Sequence, residues 1–120
     1  MPDGSPTRGQ IWQVNLNPTI GSEIQKLRPC LVISASAFDG LSIRIVVPFT
    51  TWQERFSRQP NRVFIEASPT RGLASDSAAD ALQIRAVSVE RFIVQLGLLE
   101  ADVLEEVVAR VAQVIEYVGR

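Results

Sequence analysis

Short strand-like segments separated by turn-forming residues fill most of this chain, and a single helical pattern follows them. Each segment is rich in apolar, often β-branched residues, and Gly, Pro, Asn or Asp lies between neighbouring segments. We expect strands at residues 11–16, 30–34, 42–48, 62–67, 80–87 and 92–98, and one helical turn at 89–91 capped by Ser88. From Ala101, apolar residues recur along one face of an α-helix, at Leu104, Val107, Val108, Val111, Val114, Ile115 and Val118. This order predicts a mainly β fold, a small antiparallel β-barrel with a C-terminal α-helix packed against it.

The length of 120 residues fits one compact domain, because a chain of this size buries roughly two thirds of its unfolded surface. We expect a single domain over residues 9–120, preceded by a disordered N-terminal arm over residues 1–8 that is rich in Pro, Gly, Ser and Thr. No apolar run approaches the length of a membrane span, and the N-terminus lacks the basic-then-apolar order of a signal peptide. A cytoplasmic protein is therefore expected.

The usual metal ligands and acid–base groups are scarce. The chain has no histidine, which removes the commonest metal ligand and the usual general base. Cys30 is the only cysteine, so it has no cysteine partner for an internal disulfide or a metal site. Its position in an apolar run predicts a small core residue. We expect no metal and no cofactor, and any catalysis must use other groups.

Positive charge is concentrated in the first part of the chain. Residues 1–75 carry eight Lys or Arg against five Asp or Glu, a net charge of +3, whereas residues 76–120 carry four against eight, a net charge of −4. The basic residues of polar or turn-rich segments are Lys26, Arg28, Arg55, Arg58, Arg62 and Arg71. They predict a positive patch for an anionic ligand despite the overall charge of −1. The alternative is ordinary solvated surface.

The segment at residues 17–33, NPTIGSEIQKLRPCLVI, holds the densest set of candidate site residues. It contains two turn signals, a short charged run and the start of a buried strand. Pro29 disfavours helical geometry at Arg28, so the guanidinium leaves an extended backbone at the mouth of a strand. That position suits a charged group that meets a phosphate. The alternative is a surface ion pair between Arg28 and Glu23.

Three motifs together resemble the MazF/PemK family of toxin endoribonucleases. The first is GQIWQVNLNP at residues 9–18, followed by GSE at 21–23 and by Arg28-Pro29 before an apolar strand. The second, VVPFTT at 46–51, resembles the end of the family's third strand, where an apolar run stops at a threonine. The third, ALQIR at 81–85, resembles a later strand that carries a glutamine. With the terminal amphipathic helix, the likeness covers nearly the whole chain after residue 8.

This resemblance implies a homodimeric SH3-like barrel that cuts single-stranded RNA, including mRNA, at short sequence motifs and without a metal. The ribose 2′-hydroxyl would attack the adjacent phosphate and leave a 2′,3′-cyclic phosphate and a 5′-hydroxyl. Because the nucleophile belongs to the substrate, the protein needs only to align it, stabilise charge and move protons. The resemblance also implies a type II toxin–antitoxin system, in which a MazE-like antitoxin folds an acidic, disordered tail across the toxin.

Carried over residue by residue, the resemblance assigns catalysis to Arg28, Thr50 and Glu23. Arg28 matches the arginine before proline, and a guanidinium clamps non-bridging phosphate oxygens readily but gives up a proton reluctantly. Thr50 would donate a hydrogen bond to the phosphate, with Thr51 as a rival and strand-end capping as the alternative role. Glu23 would orient Arg28 or accept a proton, or else bind backbone amides of its own loop.

Substrate binding falls to a second group of residues around these three. Gln83 would read a base edge, or satisfy backbone groups if buried. Trp52, with Phe56, would stack on bases between arginines, and packing is the alternative; Trp12 is expected in the core. The full substrate-binding set is Ser22, Lys26, Thr51, Trp52, Arg55, Arg58 and Gln83.

Two positions depart from the family pattern. Gln10 replaces an acidic residue, which we expect to be harmless, and Asn15 stands where some members carry an aspartate, which puts any aspartate-based mechanism in doubt. Two other functions remain open for such a barrel. One is a CcdB-like toxin that binds DNA gyrase through its C-terminal helix and catalyses nothing, and the other is an inactive protein-binding barrel.

Overall fold

The structure, a computed structural model, describes residues 4–119 as seven strands, four short 3-10 helices and one α-helix. The strands are β1 (Gln10–Asn15), β2 (Leu27–Val32), β3 (Ile43–Thr51), β4 (Arg62–Ile65), β5 (Ser77–Asp80), β6 (Arg85–Ser88) and β7 (Phe92–Leu98), and the helix is α1 (Ala101–Val114). The 3-10 helices are Ser36–Phe38, Glu54–Arg58, Ala81–Gln83 and Val89–Arg91. The predicted mainly β order with one C-terminal helix is confirmed. So is the helical turn after Ser88, whose Oγ accepts a hydrogen bond from the Glu90 N–H.

Strand β3 is the centre of the sheet because three other strands pair with it. Residues 43–46 pair with β6, residues 49–51 pair with β5, and residues 46–48 pair with β2. The order through the sheet is β4-β5-β3-β2-β1-β7, with β6 also beside β3. Among residues 4–119 no pairing joins β7 to β4 or to β6, so the sheet is antiparallel but is not closed into the expected barrel.

The two faces of the sheet bury separate apolar clusters, as the period-2 alternation of strand side chains requires. In β2, Leu31 belongs to the cluster beneath α1, whereas Cys30 and Val32 belong to the cluster on the opposite face. The prediction of Cys30 as a core residue is confirmed, since it is fully buried. Burial raises the pKa of its thiol to about 12. Trp12 is only partly buried, against the second cluster, where its ring meets Phe92 edge to face.

Three strands depart clearly from the sequence-based expectation. Strand β3 continues past Pro48 to Thr51, so Thr50 and Thr51 lie within the strand rather than after it. The strand expected at 80–87 is divided, because the Asp80 carboxylate accepts a hydrogen bond from the Leu82 N–H and starts a 3-10 helix between β5 and β6. Strand β2 begins at Leu27 rather than at Cys30, so Arg28 lies within a strand and not in the loop before it. Arg28 therefore lies on a strand, and Gln83 lies on a 3-10 helix instead of the expected strand.

The helix α1 packs Leu104, Val107 and Val111 into the core. It ends at Val114, and Ile115 and Val118 are exposed rather than part of the apolar face. Within residues 4–119 no helix is long and apolar enough to cross a membrane.

The N-terminal segment is packed where it is described. Residues 1–3 of the expected disordered arm lie outside the described residues, but Pro6 is buried and Arg8 donates a hydrogen bond to the Ile33 carbonyl. The Pro6 carbonyl accepts a hydrogen bond from Arg44 Nε at 2.7 Å. Arg44 is 1% exposed, and its guanidinium also donates to three carbonyls of residues 39–43. A buried arginine needs such acceptors, which accounts for the order of this segment.

Candidate active site between strands β2 and β3

Arg28 and Thr50 lie where strands β2 and β3 separate. The β2–β3 ladder ends at the pair Cys30–Pro48, and neither Pro29 nor Pro48 has a backbone N–H with which to continue it. Beyond that pair a cavity of about 210 Å³ opens, and Arg28, Thr50 and the loop at 72–75 line it. The two prolines thus help to create a gap between strands that are paired elsewhere.

Arg28 and Thr50 also belong to the same side of the sheet. Cys30 and Val46 both lie in the second apolar cluster. Arg28 is two residues from Cys30 along β2, and Thr50 is four residues from Val46 along β3. Since strand side chains alternate between faces, residues an even number apart share a face. The strands therefore present an arginine and a hydroxyl side by side at the edge of a buried core.

The Arg28 guanidinium is left largely free. Its Nε donates to the Gln25 carbonyl at 3.2 Å. Within residues 4–119 its two terminal nitrogens have no hydrogen-bond acceptor, and no carboxylate lies within 4.0 Å of it. The ion pair with Glu23 considered from the sequence is not formed. Two parallel N–H groups of an arginine are the geometry that a phosphate accepts best.

Glu23 is engaged with its own loop. Its Oε1 accepts a hydrogen bond from the Ile20 N–H at 2.7 Å, which matches the backbone-binding alternative. Glu23 and Ser22 line a second cavity, of about 480 Å³, together with Pro48 and Gln83. The sequence pattern GSE therefore builds one wall of a cavity next to the β2–β3 gap.

Gln83 holds the loop between β1 and β2 with both ends of its amide. Its Oε1 accepts from the Ile24 N–H at 2.7 Å, and its Nε2 donates to the Ser22 carbonyl at 2.8 Å. These contacts match the alternative in which the glutamine satisfies backbone groups. The two partners are 59 and 61 residues away in the chain, so the clamp is purely tertiary.

Two arginines of the same part of the chain hold the other end of this loop. Arg85 donates to the Leu16 carbonyl at 3.1 Å. Arg91 donates to the carbonyl of Asn15 at 3.0 Å and also to that of Asn17. Segment 83–91 thus anchors the loop at three places, and the Asn15 side chain serves the loop too, because its Oδ1 accepts from the Asn17 N–H.

The remaining basic and hydroxyl residues are spread around the gap. Thr51 is exposed and lines the same cavity as Arg28 and Thr50. Lys26 is exposed at a left-handed backbone position, with φ of 70°. Arg71 is not available to the predicted patch, because it forms a bidentate pair with Glu100 at 2.9 and 2.7 Å. That pair raises the pKa of Arg71 and lowers the pKa of Glu100 to about 2, through the hydrogen bond first.

An aromatic cluster follows Thr51. The Trp52 ring contacts Phe56 and Phe64 edge to face, with centroids 5.8 and 5.1 Å apart. Phe56 is buried, which matches the packing alternative, whereas Trp52 is only partly buried. Arg55 is exposed and its guanidinium lies 5.3 Å from the Phe56 centroid. A cavity of about 600 Å³ beside this cluster is lined by Trp52, Arg58, Arg62, Arg110 and seven other residues.

Arg62 is the site residue that sequence reasoning missed. It was included among the basic residues, but no motif connected it with Thr50. In the structure its Nη1 lies 3.4 Å from Thr50 Oγ1, and its Nε lies 3.5 Å from Asp80 Oδ2. The only sign of this role in the sequence was that Arg62 starts a predicted strand next to an aromatic segment. Among residues 4–119 no group of three or more His, Cys, Asp or Glu side chains has the geometry for a metal.

The loop that closes the small cavity is fixed by close backbone contact with β7. Gly72 has a φ of +69°, and a Cβ there would lie 1.9 Å from the Leu96 carbonyl oxygen. A Cβ at Gly97 would lie 2.4 Å from the Thr70 carbonyl oxygen. Both positions therefore require glycine, and together they press residues 70–72 against β7.

Comparisons with known proteins show the family to which this chain belongs. Residues 7–115 match the family model described as PemK-like, MazF-like toxin of type II toxin-antitoxin system. The chain is 35% identical over 105 residues to endoribonuclease MazF9 of Mycobacterium tuberculosis, covering 82% of this chain and 86% of the relative. The crystal structure of MazF from Deinococcus radiodurans superposes with a TM-score of 0.79 at 27% identity, over 95% of this chain and 99% of that chain.

A mycobacterial endoribonuclease solved in complex with its cognate antitoxin shares the fold. Its TM-score is 0.74 at 17% identity, over 96% of this chain and 99% of that chain. The family model spans residues 7–115, a range that includes the residues on both sides of the β2–β3 gap. The chain therefore belongs to the family of PemK-like, MazF-like toxins of type II toxin–antitoxin systems.

Proposed function

We propose that this chain cuts single-stranded RNA at the gap between β2 and β3, by a transphosphorylation that needs no metal. The chain is a toxin endoribonuclease, as its family membership and its endoribonuclease relative MazF9 indicate. One observation supports the location most strongly. Arg28, with its terminal nitrogens unoccupied, and Thr50 line one cavity and belong to one side of the sheet.

In this mechanism the substrate supplies its own nucleophile. The 2′-hydroxyl oxygen bonds to the adjacent phosphorus as its proton passes to water, and the bond from phosphorus to the 5′-oxygen breaks as that oxygen takes a proton from water. The products end in a 2′,3′-cyclic phosphate and a 5′-hydroxyl. Arg28 binds the two non-bridging oxygens, where negative charge grows in the transition state. Thr50 donates a further hydrogen bond to the same phosphoryl group. Proton transfer by Arg28 is secondary, because its guanidinium is a weak acid.

Glu23 acts in this proposal through the shape of its loop. Its contact with the Ile20 N–H stabilises the turn that forms one wall of the larger cavity. Ser22 and Lys26 on the same loop, and Thr51, Trp52, Arg55 and Arg58 beyond Thr50, form the RNA-binding surface. Gln83 supports the loop, so its contribution to RNA binding is indirect.

The assembly that we propose is a homodimer of open SH3-like barrels, controlled by an antitoxin. A MazE-like partner with an acidic, disordered tail complements the exposed cations of Lys26, Arg55 and Arg58. Such a tail would compete with RNA for one surface, and its degradation would free the toxin. The related mycobacterial endoribonuclease in complex with its cognate antitoxin supports this kind of partner.

The test is cleavage of a long mixed-sequence RNA in excess EDTA, with the cut ends mapped. Wild-type protein should give discrete cuts that end in cyclic phosphate. Arg28→Ala should lower the rate by about 10³-fold or more, and Arg28→Lys should retain part of it, because lysine keeps the charge but loses the fork. Arg110→Ala, which removes a surface arginine from α1, is the matched control. Absence of cutting by the folded wild type would favour a toxin that acts by binding a protein.

A further inference from the structure

We propose that Arg62 is a positioning residue for the cleavage reaction. It engages the oxygen of the Thr50 hydroxyl and thereby directs the hydroxyl hydrogen toward the substrate phosphate. The inference rests on the proposed function, since it requires Thr50 to donate a hydrogen bond in the transition state.

The sheet places the two side chains on one face. Arg62 lies opposite Asp80 in the β4–β5 ladder, and Thr50 lies opposite Ala78 in the β3–β5 ladder. Asp80 and Ala78 are two residues apart on β5, so all four side chains point to the same side. Arg62 therefore reaches diagonally across β5, and its Nη1 lies 3.4 Å from Thr50 Oγ1.

Two neighbours, Phe56 and Asp80, hold the guanidinium in this place. Its central carbon lies 4.0 Å from the Phe56 ring centroid, and its Nε lies 3.5 Å from Asp80 Oδ2. Asp80 is itself fixed, because its Oδ1 accepts hydrogen bonds from Asn61 Nδ2 and the Leu82 N–H. The side chains of Arg62 and Asp80 are 20% and 2% exposed, so water screens their interaction little.

Arg62 Nε is buried and has no hydrogen-bond partner within the described part of the chain. A guanidinium placed only to neutralise Asp80 would gain from turning this N–H onto the carboxylate, because an unsatisfied buried donor is costly. In the observed orientation Nε stays 3.5 Å from Asp80 Oδ2 without forming a hydrogen bond, while Nη1 donates to Thr50 Oγ1. The guanidinium is therefore turned so that its hydrogen bond goes to the threonine and not to the carboxylate.

The chemistry of the contact gives a direction to the Thr50 hydroxyl. A hydroxyl has one hydrogen and two lone pairs, and an arginine can only donate. When Arg62 occupies a lone pair of Oγ1, the hydroxyl hydrogen must find another acceptor, and the phosphoryl oxygens of a substrate in the adjacent cavity are such acceptors. Thr51, which is exposed, receives no such contact among the described residues. The arrangement thus selects Thr50 over Thr51.

A double-mutant cycle tests the proposal. The variants are Arg62→Met, Thr50→Val and the pair, and the substrate is a fluorescent RNA oligonucleotide that contains a motif mapped on the long RNA. Single-turnover rate constants measure cleavage, and binding is measured separately on the same oligonucleotide with a 2′-deoxy nucleotide at the cut. Thr50→Val should slow cleavage by about 10²-fold. Arg62→Met should slow it about tenfold when Thr50 is present and less than about twofold when it is absent.

Two further variants separate positioning from general effects. Arg62→Gln keeps a side-chain amide donor and should recover part of the lost rate, which a purely structural role would not require. Arg110→Met removes a charge that lines the same 600 Å³ cavity and should change the rate by less than about twofold. If Arg62→Met fails to fold, as judged by its thermal transition, the cycle is run in an Asp80→Asn background, which removes the buried carboxylate that Arg62→Met leaves unpaired.

Equal losses from the Arg62 change in both backgrounds would overturn the proposal, because Arg62 would then act independently of Thr50. A different result refutes the function on which it rests. If Thr50→Val cuts RNA at the wild-type rate, the role of Thr50 is wrong, and if no variant or wild type cuts, the ribonuclease mechanism itself is wrong.

Discussion

Replacing Gln83 by leucine should release the loop that carries Ser22 and Glu23. The substitution removes two hydrogen bonds, of 2.7 and 2.8 Å, between the glutamine amide and the loop backbone. Each such bond contributes about 1 kcal/mol net, so the loop loses roughly 2 kcal/mol of anchoring. At about 1.4 kcal/mol for each factor of ten, local opening should become about 30-fold more frequent.

Native-state hydrogen exchange measures this opening directly. Protection of the Ile24 amide should fall about 30-fold in Gln83→Leu, while the amides of strand β3 remain unchanged. Gln83→Glu is the matched control: it keeps an acceptor for the Ile24 N–H but loses the donor to the Ser22 carbonyl, so its effect should be about fivefold. Unchanged protection at Ile24, combined with an altered cleavage motif, would refute the clamp and show instead that Gln83 reads a base.

Three other predictions concern the gap and its surroundings. Thr50→Ala should slow cleavage more than Thr51→Ala, measured as single-turnover rates. The reverse order would show that Thr51, and not Thr50, donates the hydrogen bond. Charge reversal at both Arg55 and Arg58 should weaken RNA binding and flatten its dependence on salt, measured by titration at several salt concentrations; an unchanged slope would remove this loop from the RNA-binding surface. The hydrogen bond from Arg71 lowers the pKa of Glu100 from 4.5 to about 2. Between pH 4.5 and about 2 the unfolded state therefore binds more protons than the folded state, and the stability that the pair contributes is lost as the pH falls through this range. Thermal melting should therefore depend on pH less steeply there in Glu100→Gln than in wild type, and identical slopes would contradict the assignment.

Much of the fold follows from local sequence patterns, and the exceptions have local causes. The bounds of β7 and the start of α1 agree with the sequence pattern, because turn residues and a change of period mark them clearly. The break between β5 and β6 was not predicted, because the residue types from Asp80 to Leu82 also fit a continuous strand. The break depends on the hydrogen bond that the Leu82 N–H donates to the Asp80 carboxylate. Closure of the sheet depends on pairing between distant strands, which periodicity does not report.

The candidate site was also predictable where neighbouring residues determine it and not predictable where distant residues do. Arg28 before Pro29 was recognisable because proline restricts its neighbour directly. The partners of Gln83 and Arg62 were not recognisable, since the Gln83 clamp spans about sixty residues and Arg62 reaches Thr50 only across β5. Glu23 was expected to meet Arg28, five residues away, but a turn amide next to it gives the carboxylate a nearer donor.

The central claim is that the substrate's own 2′-hydroxyl attacks a phosphate bound by Arg28 in the β2–β3 gap. The most direct test replaces one ribose, on the 5′ side of the mapped cut, by 2′-deoxyribose in an otherwise identical RNA oligonucleotide. Wild-type protein should bind this oligonucleotide as well as the all-ribose one but should not cut it at that position. Cutting of the deoxy-substituted bond at a comparable rate would contradict the mechanism, because the attacking oxygen would then have to come from water or from the protein.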